Sequence, residues 1–122
     1  RVFVSGAVYG RTAVFDQGRL RGKRALVAVS TGAPAQAFGP GSLNGEMAQI
    51  LMPLHRGVLG FTGMTVLPPF VAHHVPYAGP EGRAEQLARW RGHLRALDRL
   101  APLPMPRLAD HPDALDVGAK AR

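Results

Sequence analysis

The order of apolar and polar residues along the chain predicts two strands. Residues 24–30, with the sequence RALVAVS, form a short, valine-rich apolar segment, which is typical of a strand buried on both faces of a parallel sheet. Residues 64–72, MTVLPPFVA, predict a second strand. Because proline has no N–H to donate, Pro68 and Pro69 restrict this strand to an edge position or to an early break in its pairing.

Two other segments carry apolar residues three or four positions apart, which is typical of amphipathic helices. The first follows Glu46, and Pro53 inside it predicts a kink, because proline removes a backbone hydrogen bond and clashes with the preceding turn. The second starts at Pro80, a residue favoured in the first helical turn, and ends before Pro102. The apolar positions are Met47, Ile50, Leu51, Leu54, Val58 and Phe61 in the first helix, and Leu87, Trp90, Leu94 and Leu97 in the second.

The order of these elements predicts an open α/β sheet. Strand, glycine-rich loop, helix, strand and helix form a right-handed crossover unit. Residues 1–101 are therefore assigned to one domain. Residues 102–122 are rich in proline and show no periodicity, which favours a flexible tail.

Composition excludes several classes of protein. The chain has 122 residues, 46% of them hydrophobic and 19% charged, a globular balance that allows one domain at most. It has no cysteine, which excludes disulfides and thiolate metal sites. No apolar run reaches the roughly 20 residues of a membrane helix, and the first residues lack a signal-peptide layout. The prediction is a cytoplasmic protein without membrane insertion.

Neither the net charge nor the histidines predict a nucleic-acid or metal partner. The net charge of +7 comes largely from arginines on the second helix, where glutamates also lie. This pattern favours a solvated helix face over a nucleic-acid surface. The neighbours His73 and His74 resemble a metal pair, but adjacent strand residues point to opposite faces, so no metal site is predicted.

The loop after the first strand is the candidate binding site. In open α/β sheets, ligands bind beyond the carboxyl ends of the strands. The small residues Ser30, Thr31, Gly32 and Ala33 would let a flat or anionic ligand approach the main chain, where backbone N–H groups donate to its oxygens. The loop matches neither the dinucleotide fingerprint nor the phosphate loop. By itself, a glycine-rich loop of this kind is more often a plain connection than a binding site.

Four separated segments together resemble the C-terminal half of the NAD(P)H:quinone oxidoreductases, the DT-diaphorase-like family of flavodoxin fold. The resemblance covers residues 1–97. It implies a three-layer α/β/α fold with an open parallel sheet, incomplete in this chain. The four segments are RVFVSGAVYG, LRGKRALVAVSTGAP, FGPGSLNGEMAQILMPLHRGVLGFTGMTVLPPFVA and PEGRAEQLARWRGHL.

This resemblance implies an activity and a set of cofactors. Members of that family are homodimeric flavoproteins that pass hydride from NAD(P)H through the flavin to a quinone in a ping-pong cycle. The chain is therefore expected to use FAD or FMN, with NAD(P)H as co-substrate and a quinone or another small electron acceptor as substrate. A homodimer is the expected assembly.

The resemblance also implies the site residues. Ser30, Thr31, Gly32 and Ala33 match the segment along the isoalloxazine ring, where backbone donors would stabilise negative charge on the reduced ring. Other cofactor positions are Phe38 in the flavin loop and Arg83 and Leu87 near the adenosine end of FAD. Tyr9, with the adjacent Gly10 and Arg11, and Phe61 match the nicotinamide and quinone pocket contributed by the partner subunit. For Phe61 core packing is an equal alternative, and for Arg83 an exposed helix charge.

Two positions depart from the family pattern. Phe38 stands where the family has a tyrosine, and Asn44 stands where animal members have a histidine. A proton-linked charge relay through these two catalytic positions is therefore in doubt. Asn44, like Ser42, has a second interpretation as the cap of the first helix.

The resemblance also indicates what the chain lacks. A flavodoxin-type sheet has five parallel strands and a phosphate-binding loop after the first, whereas this chain supplies about two strands. The chain is therefore interpreted as a fragment that needs the N-terminal half and is inactive alone. The alternative is a catalytically silent interaction module, such as an ancillary subunit of a transport system, or a truncated remnant.

Overall fold

A computed structural model describes residues 2–115 of the chain. Two compact units are present. Unit 1 comprises the residues up to Ala25, the segment Pro53–Val66 and the segment that starts at Leu103. Unit 2 comprises Leu26–Met52 and Leu67–Pro102. Each unit therefore combines segments that are distant in the sequence.

The parallel pairing of the two predicted strands is confirmed, but each strand is split in two. Strands β1 (Arg24–Ala25) and β3 (Thr65–Val66) pair in parallel in unit 1. Strands β2 (Ala28–Ser30) and β4 (Phe70–Ala72) pair in parallel in unit 2. Three residues, two of them proline, separate β3 from β4. Only two residues separate β1 from β2. The unequal spacing and the missing proline N–H groups account for the interruption.

The helices agree with the predicted positions, and proline determines where the first one changes. Helix α1 spans Met47–Leu54 and continues as a π-helix over His55–Gly60. Pro53 lies inside α1, where its missing N–H and its ring disturb the regular pattern, and a wider helical turn follows. Helix α2 spans Gly79–Arg95 with proline in its first turn, as predicted.

Neither predicted residue caps α1. The first hydrogen bonds of α1 run from the amides of Gln49 and Ile50 to the carbonyl of Glu46. Asn44 precedes this turn, and its amide donates to the carbonyl of Ala37 over 2.9 Å. The hydroxyl of Ser42 donates to the carbonyl of Gly39 over 2.8 Å. Both residues close the loop before the helix, so the prediction of a cap was wrong.

Buried apolar residues form a small core in each unit. Val66 and Val14 are buried in unit 1, whereas Leu67 and Phe70 are buried in unit 2. The prediction that residues 24–30 are buried on both faces was wrong. Ala28 on strand β2 is exposed, because a two-stranded sheet with one helix covers only part of the strand surface.

The segment after Pro102, predicted as a flexible tail, begins with defined contacts in unit 1. The amide of Leu103 donates to the carbonyl of Val66 over 2.8 Å, and the amide of Leu108 donates to the Asp16 carboxylate over 2.8 Å. Residues 116–122, the last part of the predicted tail, lie outside the described residues. The domain limit at residue 101 stays a prediction.

Unit 1 contains a buried histidine without a complete set of partners. His55, the first residue of the π-helix, is 5% exposed. Its Nε2 atom has no hydrogen-bond partner among the described residues. Burial lowers the pKa of His55 below its usual value of 6.5, because the charged imidazolium loses hydration.

Stability of unit 1 is therefore expected to fall in mild acid. Since the unfolded chain protonates His55 more readily than the folded chain, the contribution of His55 is full above its usual pKa of 6.5 and is lost as the pH falls toward the lowered pKa of the folded state. The loss is at most about 1.4 kcal/mol per pH unit. Amide exchange at Thr62 and Val66 from pH 7.5 to 4.5 measures it. His55→Leu should remove this dependence, and an unchanged slope in that variant would contradict the prediction.

Candidate functional site

The loop that follows strand β2 is held by hydrogen bonds to residues after strand β4. The amide of Thr31 donates to the carbonyl of Ala72 over 2.9 Å, and the amide of Val75 donates to the carbonyl of Thr31 over 3.1 Å. The Thr31 hydroxyl turns back and donates to the carbonyl of Ala33 over 2.8 Å. The amide of His74 donates to the same Ala33 carbonyl over 3.1 Å. These bonds fix the backbone of the loop at the carboxyl end of the sheet.

Two histidines complete the support of this loop. The Nδ1 atom of His73 lies 3.1 Å from the Thr31 hydroxyl oxygen. Because that hydroxyl uses its hydrogen on Ala33, the His73 Nδ1 atom carries a proton and donates. The Nδ1 atom of His74 lies 3.3 Å from the carbonyl of Gly32, so it donates as well. His74 has a left-handed backbone (φ +58°), which lets adjacent side chains reach one loop.

In this loop the backbone carbonyls are engaged in hydrogen bonds, whereas two backbone amides remain available as donors. The carbonyls of Thr31, Gly32 and Ala33 all accept hydrogen bonds. Among residues 2–115, the amides of Gly32 and Ala33 donate to no backbone carbonyl. A Cβ built on Gly32 would meet no atom within 4 Å, and Gly32 is exposed, so a ligand can approach the backbone at this residue. This arrangement suits the carbonyl or anionic edge of a flat ligand.

The predicted catalytic positions Phe38 and Asn44 lie in the turns that follow this loop in the chain. The ring of Phe38 packs against His73 with centroids 5.1 Å apart. Asn44 is exposed, and only its backbone contacts the turn that contains Phe38. Burial, and secondarily the charge of Arg89, lowers the pKa of His73 below 6.5. The titratable ring next to Phe38 therefore tends to be neutral.

Three predicted cofactor residues line one cavity of about 430 Å³ between the sheet and helix α2. Ser30 comes from the end of β2, and Arg83 and Leu87 come from the first turns of α2. Most of the other lining residues of this cavity are apolar or aromatic, and the rings of Phe70 and Trp90 are in contact with centroids 5.1 Å apart. Thr31, Gly32, Ala33 and Phe38 do not line it.

Sequence reasoning missed several residues of this site. Gln86 and Trp90 line the cavity beside Arg83, and their spacing of three and four residues on one helix is a signal that would have found them. Gln86 also donates to the carbonyl of His73 over 2.7 Å. His73 and His74 gave no usable local signal, because their partners lie 42 residues earlier.

The predicted substrate residues lie in unit 1. The rings of Tyr9 and Phe61 meet edge to face with centroids 5.4 Å apart, and both line a cavity of about 230 Å³ with Phe3 and Val58. Arg11 is exposed and Gly10 closes a short turn with Ala13. The half-buried Phe61 therefore packs against another ring and also faces a cavity, so both interpretations of this residue are compatible with its position. The substrate roles of all four residues stay predictions.

Neither metal clusters nor membrane helices occur in the described part of the chain. Among residues 2–115, no group of three or more His, Asp or Glu side chains could hold a metal ion. Within the same residues, no helix has the length and apolarity to cross a membrane.

Residues 1–94 match the family described as having a flavodoxin-like fold. The chain belongs to this flavodoxin-like family. The predicted fold class and the resemblance to quinone reductases are thereby confirmed, with the chain corresponding to a C-terminal part of the domain.

Quinone reductases are among the relatives of this flavodoxin-like chain. It is 32% identical over 103 residues to NAD(P)H dehydrogenase [quinone] 1 of Cavia porcellus, covering 84% of this chain and 38% of that protein. It is 33% identical over 104 residues to human ribosyldihydronicotinamide dehydrogenase [quinone], covering 85% of this chain and 45% of the relative. A solved structure from Klebsiella pneumoniae, provisionally named a quinone reductase, superposes with a TM-score of 0.74 at 32% identity, covering 78% of this chain and 37% of that one. The chain thus spans less than half the length of each.

Replacement of Thr31 by valine is expected to loosen the loop. The change removes the hydrogen bonds to Ala33 and His73 and leaves the His73 donor without a partner, which costs about 1–3 kcal/mol. Amide exchange of Gly32 and Ala33 should accelerate, whereas Thr31→Ser, which keeps the hydroxyl, should behave like the wild type. Nitrogen NMR of the imidazoles supplies an independent check. A wild-type His73 protonated at Nε2 alone would contradict the assigned geometry.

Proposed function

We propose that this chain is the flavin-binding C-terminal part of an NAD(P)H:quinone oxidoreductase. The observation that carries the proposal is the polarity of residues 30–33, where every carbonyl after Ser30 is occupied while the amides of Gly32 and Ala33 remain available. The named activities of the quinone reductases to which the chain is similar support it. Because the chain covers 38% and 45% of those relatives, turnover is assigned to the complete protein.

The residues present fit a flavin. Gly32 leaves room for a flat ring to approach the backbone, and the amides of Gly32 and Ala33 have no backbone acceptor within the described chain and can donate to it. Arg83, beside the apolar surface of Leu87 and Trp90, offers a guanidinium for a pyrophosphate next to an adenine plane. When bound, FAD or FMN would accept hydride from NAD(P)H and deliver it to a quinone.

The chain's own contribution to this chemistry is electrostatic. Backbone donors aimed at an edge that gains negative charge stabilise the charged form, and their fixed orientation costs no reorganisation. The hydrogen bonds from His73 and His74 keep the amides of Gly32 and Ala33 in place. Phe38 packs against His73 but has no hydroxyl proton to supply. A proton required at this edge would therefore come from solvent or from another part of the complete protein.

Flavin titration tests the proposal. FAD or FMN is added to the purified chain alone, and to the chain supplied with the polypeptide encoded upstream, while quenching of flavin fluorescence is followed. A chimaera with the N-terminal part of the Cavia porcellus relative provides a second arm. Quenching and NADPH-dependent quinone reduction in a completed form, with neither in the chain alone, are expected. Absence of quenching in all forms would overturn the proposal.

A silent interaction module is the second candidate. It is favoured by Phe38 and Asn44, which lack the titratable groups of the tyrosine and histidine of the resembling family. This candidate predicts binding to a partner polypeptide without flavin quenching. Restoring both groups, in Phe38→Tyr with Asn44→His, should raise quinone reduction only if the first proposal holds.

A further inference from the structure

Unit 1 contains a cavity of about 210 Å³ that the flavin site does not use. Val14, Phe15 and Phe61 form an apolar side, and residues 106–115 contribute most of the remaining wall. Arg56, Arg107 and His111 are the polar lining residues. A small cavity with an aromatic side and three basic side chains suits a ligand that combines an apolar ring with a negative charge.

The second wall of this cavity comes from the C-terminal segment, residues 106–115. The match to the flavodoxin-like family ends at residue 94, so residues 106–115 lie beyond it. Their position is fixed by the hydrogen bond from the Leu108 amide to the Asp16 carboxylate, 2.8 Å long. This bond lowers the pKa of Asp16, which therefore stays ionised at neutral pH. The cavity thus forms where residues 106–115 pack against the other segments of unit 1.

The aromatic side of the cavity is held in an unusual conformation. Phe15 has φ +49°, a left-handed geometry that costs a non-glycine residue about 1–3 kcal/mol unless its surroundings enforce it. The Phe15 amide donates to the carbonyl of Phe61 over 2.8 Å, and the two rings meet edge to face with centroids 5.6 Å apart. The fold therefore imposes this backbone conformation where it places a second aromatic ring beside Phe61.

The polar side carries an excess of positive charge. Asp16 is the carboxylate near Arg107 and offsets one cation. Within residues 2–115, the Arg56 guanidinium has no hydrogen-bonding or ion-pairing partner. Arg56 is fixed through its backbone instead, because its carbonyl accepts from the Phe61 amide over 3.0 Å. Among residues 2–115, Arg56 thus has no paired carboxylate, and its solvent-exposed side chain lies at the wall of the cavity.

We propose that this cavity binds a small aromatic carboxylate. Its ring would lie on Phe15 and Phe61, and its carboxylate would pair with the guanidinium groups of Arg56 and Arg107, whose planar forks match carboxylate oxygens. A cavity of about 150 Å³ suffices for benzene, so the observed volume accommodates one or two fused rings. The inference is independent of the proposed quinone reduction, because it concerns binding to this chain alone.

Calorimetric titration of the 122-residue chain with 1-naphthoate tests it, with naphthalene-1-methanol as the uncharged analogue of the same shape. We expect saturable binding of the acid and at least about tenfold weaker binding of the alcohol, which corresponds to about 1.4 kcal/mol. Arg56→Gln and Arg107→Gln should each weaken the acid about tenfold and leave the alcohol unchanged. Arg91→Gln, on an exposed position of α2, is the control and should change neither.

NMR shifts distinguish the outcomes. Naphthoate should perturb the amides of Phe15, Phe61 and Leu108 in the wild-type chain. Equal affinity for acid and alcohol, or full naphthoate affinity in the Arg56→Gln Arg107→Gln double variant, would overturn the proposal. So would perturbations confined to unit 2, or no saturable binding at millimolar naphthoate.

Discussion

Substituting alanine for Gly18 is expected to unfold unit 1. A Cβ at Gly18 would lie 2.5 Å from the amide nitrogen of Gly63 and would also collide with the backbone of Thr62. In the reverse direction, a Cβ at Gly63 would lie 2.8 Å from the backbone of Gly18. Two backbones therefore pass each other with room for hydrogen only, and neither can yield like a flexible side chain.

The surrounding bonds make this crossing rigid. On one side of Gly18 the amide of Leu20 donates to the carbonyl of Thr62 over 2.9 Å. Thr62 is 1% exposed, and its hydroxyl bonds the carbonyls of Val58 and Leu59, each over 3.0 Å. Separating the two chains to admit a methyl group would break these bonds. A cost above about 3 kcal/mol is expected, most of the stability available to a domain this small.

Urea unfolding monitored by near-ultraviolet circular dichroism measures the effect. Gly57→Ala is the matched control, since a Cβ there meets nothing within 4 Å and alanine favours a helix by up to about 1 kcal/mol. The Gly18→Ala chain should lack a cooperative transition, whereas the Gly57→Ala chain should keep that of the wild type. Similar transition midpoints for the two variants would show that the backbones at Gly18 and Gly63 can separate far enough to admit a methyl group, which would contradict the prediction.

Replacement of Gly32 by valine is expected to abolish flavin binding without disturbing the fold. A Cβ at Gly32 meets no atom within 4 Å, and the residue is exposed, so the isopropyl group is accommodated by the protein alone. It would crowd the approach of a ligand to the backbone that carries the amides of Gly32 and Ala33. Losing two hydrogen bonds to a charged edge, at about 1.5–3 kcal/mol each, predicts an affinity loss of at least about 100-fold.

Fluorescence quenching of FAD in the completed protein measures this loss. Ala35→Val adds a similar bulk at an exposed position of the same loop and serves as the control, with affinity within about threefold of the wild type. Amide exchange should show the same protection of β2 and β4 in all three proteins. Wild-type FAD affinity in Gly32→Val would mean that the flavin lies elsewhere, and it would remove the proposed role of the loop.

The predictions that succeeded depend on local order. The extent of α2 followed from Pro80 and the apolar spacing after it, because a helix repeats every 3.6 residues wherever it is placed. The change in α1 followed from Pro53, whose missing N–H acts within one turn. The parallel arrangement followed from the order of strand and helix along the chain. Each of these inferences needs only neighbouring residues.

The burial prediction, which failed, depends on which other elements pack against the strands. Valine-rich residues 24–30 have the composition of a strand covered on both faces, but composition does not supply the covering layers. In the structure, Ala28 is exposed while Val29 is half-buried. The flexible tail stays a prediction, and the lack of periodicity after Pro102 says nothing of the Asp16 carboxylate that accepts a hydrogen bond from Leu108.

The sequence by itself determined the family and the order of helices and strands, and it predicted residues 30–33 as the candidate binding loop. Tertiary structure alone decided which carbonyls of that loop are engaged in hydrogen bonds and which amides remain available. His73 and His74 lie 42 residues from Thr31 and Gly32, and Asp16 lies 92 residues from Leu108. Local propensity carries no record of such contacts, since they arise only when the backbone path brings distant donors and acceptors within about 3 Å of each other.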